Sequence, residues 1–135
     1  MIRAASLSIV LALCASQGHA GTCARLNAPQ VFAGTVTPTP FRIVDSNKTE
    51  TFGVLVLDHP LRLCEALDWY EEVDAHTVRR MQLIFFAPPF GADWNGRHVS
   101  VGGTPFAAEN ANHHTPVMLQ VKTIKAVPCP HSASA

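Results

Sequence analysis

A chain of 135 residues, 47% hydrophobic and 15% charged, has material for one globular core. Ten basic residues balance ten acidic ones, which excludes binding to nucleic acid by counterion release, and also an acidic calcium buffer or a self-repelling tail. Ten prolines and eight glycines with so few charges favour short strands and turns over a helical bundle or a disordered segment.

Residues 1–20, MIRAASLSIVLALCASQGHA, have the layout of a secretory signal peptide. One positive charge, Arg3, precedes an apolar stretch from Leu7 to Ala15, and Gly18-His19-Ala20 puts small residues at the positions a signal peptidase reads. Cleavage is expected after Ala20. A bulky Leu13 before Cys14 makes a poor lipidation site, so plain export to the periplasm or medium is the reading. The remaining sequence has no apolar run of the roughly 20 residues that cross a bilayer, so no transmembrane segment is expected after cleavage.

Five strand-like runs follow. The first two are VFAGTVT (31–37) and TFGVLVL (51–57), with PTPFRIVDSNKTE between them expected as loop. If they pair antiparallel with Val31 opposite Leu57, Cys23 falls within one residue of Cys64, beyond the same end of the hairpin. A Cys23–Cys64 disulfide is therefore expected, worth on the order of 3 kcal/mol. Cys14 leaves with the signal peptide, and Cys129, in a Pro-Cys-Pro step, is the spare. The cysteine spacings fit neither a C-x-x-C redox motif nor a zinc finger. Pro60, in DHPLRLC, points to a bulge or an edge. Residues 65–74, with Trp69 and Tyr70, are expected as a solvated connection.

The third run, VRRMQLIFF (78–86), alternates Met81, Leu83 and Phe85 with Arg80 and Gln82, so one face is expected buried and the other wet. A Pro- and Gly-rich turn region follows. The fourth run, RHVSVGGTPF (97–106), carries Gly102-Gly103, a place for a sharp bend or bulge. The fifth is VMLQVKTI (117–124), with Val117, Leu119 and Val121 on one face. Five short strands, one of them strongly bent, give an all-β domain over residues 21–126. It is expected as a five-stranded OB-like barrel, with a small β-sandwich as the alternative. Residues 127–135 are expected as a loose tail.

The stretch GRHVSVGGTPFAAENANHHTPVMLQV resembles the C-terminal core of a bacterial exported family, the domain-of-unknown-function 4431 family. The resemblance runs through Val99, Val101, Gly103, Phe106 and the signature His113-His114-Thr115-Pro116-Val117, and extends to Cys23 and LDHPLRLC. Family members commonly carry Thr-Gly or a further His where this chain has Asn110-Ala111-Asn112. The family has no established activity, so the resemblance implies compartment and fold more than function.

The histidine pair invites a metal reading. Zinc takes three or four ligands in tetrahedral array, and neighbouring imidazoles also suit copper. In an extended chain, however, adjacent side chains point to opposite faces. If Phe106 lies opposite Thr115, His98 falls near Thr123, roughly 26 Å of strand from the pair. Glu109 is the better-placed third ligand, so the alternative to no cofactor is zinc or copper on His113, His114 and Glu109. No G-x-S-x-G or glycosidase pattern appears, and no catalytic residue is expected. Two Trp and one Tyr in a neutral exported chain also argue against single-strand nucleic-acid binding. The expected role is a non-catalytic binding or structural module of the cell envelope, partnered by an envelope or extracellular ligand or protein. His113, His114 and Thr115 form either its ligand-contact loop or the corner that closes the barrel.

Overall fold

The computed structural model describes residues 23–67, 76–85 and 92–128. The strands are β1 (Gln30–Arg42), β2 (Thr49–Arg62), β3 (Thr77–Phe85), β4 (His98–Ala107) and β5 (Val117–Ala126). They close into a barrel in the order β1-β2-β3-β5-β4, all neighbours antiparallel except the β3–β5 pair. Among the described residues no helix is long and apolar enough to cross a membrane. The segment expected as a signal peptide, Trp69 and Tyr70, and Cys129 lie outside the described residues.

Period-2 alternation builds the core. Phe32 and Val36 of β1, Leu55 of β2, Met81 and Leu83 of β3, Val99 and Val101 of β4, and Val117 and Leu119 of β5 point inward into one apolar cluster. Each inward Val, Leu or Phe contributes about 1.5–3 kcal/mol by leaving water. Backbone approaches closely at two glycines. A Cβ on Gly34 would run into the Val56 carbonyl, and one on Gly103 into the Gln120 carbonyl. The register of β4 against β5 shifts between Gly102 and Gly103, as the sequence led us to expect.

Both hairpin registers differ from expectation by about three residues. Leu57 pairs with Gly34, not Val31. Phe106 pairs with Met118, not Thr115, and the start of β4 pairs with the end of β5, Val99 opposite Ala126. The first shift arises because β1 and β2 run through most of the segment expected as loop, so the hairpin turns only over 43–48. Pro38 and Pro40 are tolerated for a definable reason. Val36 directs its N–H to the Arg97 carbonyl and its carbonyl to the Gly96 N–H, away from β2. Pro38 and Pro40 share that parity, so their missing donors fall on the outer edge of β1 and remove no β1–β2 bond. Beyond Val36 the two strands project as a ribbon. At the far end β2 continues through Pro60, and the expected irregularity is a register shift against β3 between Val56 and Leu61.

The Cys23–Cys64 disulfide is present, with Cα atoms 4.9 Å apart, but not as the end of a hairpin ladder. Residues 23–29 turn back, and Ala24 makes a parallel bridge to Leu63. Ala24 N donates to Arg62 O at 2.7 Å and Cys64 N donates to Ala24 O at 2.9 Å. Asn27, at φ 61°, makes the turn, and its N–H donates to Pro105 O. Val127, expected as loose, donates its N–H to His98 O at 3.0 Å.

Candidate functional site

The row of outward positions crossing the barrel wall explains the site. Register partners Val54, Gln82, Met118 and Phe106 lie side by side on β2, β3, β5 and β4. Outward positions should be wet, yet Val54, Gln82 and Met118 are each 1% exposed or less. The β4–β5 loop, residues 108–116, lies back across them. This corrects the expectation for Gln82, which is not on a wet face. It also explains why Met81-Gln82-Leu83 and Val117-Met118-Leu119 are each buried three in a row.

Thr115 is the pivot of that contact. Its hydroxyl accepts from Gln82 N at 2.8 Å, donates to Val117 O at 2.7 Å and rests 3.5 Å from Met118 Sδ. The Gln82 side chain answers from the strand, with Oε1 accepting from His114 N at 2.8 Å and Nε2 donating to Asn112 O at 3.4 Å. These bonds satisfy backbone groups that the loop would otherwise bury unpaired. Pro116, which cannot donate, supplies its carbonyl to Ala108 N at 3.0 Å.

The two histidines diverge, as adjacent side chains in an extended segment should. The His114 ring stacks on Phe41 of the ribbon, centroids 4.5 Å apart at 5°, and meets Phe52 at 5.2 Å. Its Nε2 is buried without a hydrogen-bond partner. The His113 ring sits edge-on to Phe106 at 5.6 Å, and its Nδ1 accepts from Glu109 N at 2.9 Å. Glu109 thus reaches His113 through its backbone N–H, which engages Nδ1, while Nε2 lies 3.4 Å from Asn110 Nδ2. Among the described residues no group of three or more His, Cys, Asp or Glu side chains is placed to hold a metal ion. The loop nevertheless frames a depression of about 500 Å³, lined by Ala108–Asn110 and His113–Pro116. Glu109, Asn110 and Asn112 are exposed around it.

His98 is remote from the pair, eight residues before Phe106 along β4. It bonds Asp58 on β2, Nε2 to Oδ2 at 2.8 Å. Sequence reasoning missed Gln82, Asp58 and Phe52. A glutamine inside the apolar run MQLIFF was the one legible hint of Gln82. The others depend on pairings that no local pattern encodes.

A closed five-stranded barrel of this strand order, with a parallel β3–β5 contact and with the β1–β2 and β4–β5 connections meeting at one corner, is an OB-like domain. Residues 80–125, from mid-β3 almost to the end of β5, match the family described as "Domain of unknown function (DUF4431)", which bears out the resemblance to that family. Cys23 and residues 57–64 lie outside the matched span. No curated protein matches the chain.

Proposed function

We propose that the protein is an exported, non-catalytic binding or structural module of the bacterial cell envelope. An envelope or extracellular ligand or protein contacts it at the corner where the β1–β2 ribbon meets the β4–β5 loop. The observation that carries this reading is the rigid mounting of the loop. Thr115 and Gln82 fix its base, Phe41 and Phe52 clamp His114, and the exposed Glu109, Asn110 and Asn112 are presented around the depression on a pre-organised backbone. Pre-organisation of this kind lowers the ordering cost of binding. The disulfide is compatible with an oxidising compartment and supports export. The zinc or copper reading has less support, because His113 and His114 diverge and His113 Nδ1 is engaged by a backbone N–H.

Amide chemical-shift mapping of the labelled protein, titrated with soluble peptidoglycan fragments and envelope polysaccharides, tests this. Perturbations should gather at Phe41, Glu109, Asn110 and Asn112 without turnover of the probe. A product peak, or a series of probes that leaves the corner unperturbed, would count against it.

A further inference from the structure

His98 stands at the start of β4 with 13% of its side chain exposed, between two hydrogen-bond acceptors. Its Nε2 lies 2.8 Å from Asp58 Oδ2, and its Nδ1 lies 3.1 Å from the carbonyl oxygen of Val127, the residue that follows β5. A carbonyl only accepts, and so does an ionised carboxylate. A neutral imidazole carries one N–H and serves one of them, whereas the imidazolium donates to both. The backbone adds a third tie, Val127 N to His98 O at 3.0 Å.

We propose that His98 is a proton-operated clasp that fastens the end of β5 to β2 across the barrel wall. Protonated, it holds Asp58 and Val127 together. On losing its proton it keeps the bond to the Asp58 carboxylate, the stronger acceptor, and releases Val127, since the Nδ1 lone pair then opposes a carbonyl lone pair. Asp58 lies on β2 and Val127 just past the end of β5, so the two acceptors reach the ring from outside β4. From β1 the facing position is the uncharged Thr35. Charged residues at neighbouring positions among the described residues include Arg97 beside it, with its guanidinium 4.9 Å over the Trp94 ring, Lys125 opposite Ser100 on β5, and Arg80 opposite Val56 on β3. All three are cations, and Asp58 is a carboxylate in contact with the ring that favours the imidazolium.

Burial disfavours the charged ring, but the Asp58 bond and the Val127 carbonyl outweigh it and hold the His98 pKa above its ordinary value of 6.5. A raised folded-state pKa stabilises the fold fully below the unfolded value, about 6.5, and the contribution disappears as pH rises through the higher folded value.

Amide hydrogen exchange of the full chain, corrected for intrinsic rates, together with a histidine NMR titration, reads the clasp directly. Protection at Val127 should fall about threefold or more between about pH 6 and pH 8.5, in step with His98 deprotonation, while the core strands stay unchanged. In Asp58→Asn the same transition should move to lower pH. His98→Gln, which cannot titrate, should show no transition. Protection at Val127 that stays flat while His98 titrates would overturn the proposal, as would a transition unmoved by Asp58→Asn.

Discussion

Replacing Cys23 and Cys64 together by serine should cost about 4 kcal/mol of stability, the chain-entropy value for a closed loop of this length. The bridge spans 41 residues and joins the N-terminal turn to the end of β2. Among the described residues no strand ladder duplicates that junction. The parallel contact of Ala24 with Leu63 is an isolated bridge, supported by one backbone bond on either side. Without the covalent link the N-terminal segment should fray, exposing Leu63 and Leu67, which are 1% and 6% exposed in the fold. Denaturant titration of the oxidised protein against the double-serine variant measures the difference. The loss should appear in the midpoint, accompanied by faster exchange at Ala24 and Cys64. A difference under about 1 kcal/mol would mean the bridge only decorates a fold held elsewhere.

The second large effect is expected at Gly103. Adding one methyl in Gly103→Ala drives a Cβ into the Gln120 carbonyl, and backbone cannot swing aside as a flexible side chain can. The ladder beside the β4 bulge must open, at a cost of about 3 kcal/mol. Gly53→Ala is the matched control, because its Cβ would meet only a Val36 methyl at 3.4 Å, an ordinary contact. Thermal melts of the two variants should separate clearly, with Gly53→Ala near the parent. Equal melting temperatures would remove the close approach from the account of how the barrel closes.

The two glycines also show how far the sequence carries. Gly102-Gly103 in the middle of an alternating run was legible as a bend, because glycine in a strand interior costs stability unless the backbone needs it. The five strands, the bulge after Val56 and the Cys23–Cys64 pairing were legible on the same local grounds. The registers were not. Turn residues in PTPFRIVDSNKTE suggested a long loop, yet prolines at every second position are compatible with an edge strand when their missing donors face outward, and only the pairing reveals that parity. The disulfide expectation survived the register error because Cys23 reaches Cys64 through a parallel bridge outside the hairpin altogether.

Much the same holds for the site. H-H-T-P-V was visible as a distinctive loop entering the last strand, and the divergence of its two histidines followed from strand geometry. Its partners were hidden. Gln82 reads as a solvent-facing residue until a loop 33 positions away is laid over it, and Phe41 reads as part of a turn until the ribbon brings it under His114. Local periodicity reports which face a residue occupies. It does not report that the outer face of this barrel carries a second buried layer.

That layer is the centre of the account, which assigns Thr115 and His114 to building the corner rather than to holding a metal or reacting. Thr115→Val removes the acceptor for Gln82 N and leaves a buried donor unpaired, which should cost about 2 kcal/mol. His114→Ala should cost less, and Thr115→Ser, which keeps the hydroxyl, should recover most of the loss. The most direct measurement is denaturant stability of these three variants in chelator-treated protein, alongside calorimetric titration of the parent with zinc and with copper. The account predicts the losses in full without any metal and no sub-micromolar stoichiometric binding. Variants as stable as the parent without metal, combined with tight metal binding that His113→Ala and His114→Ala abolish, would contradict it.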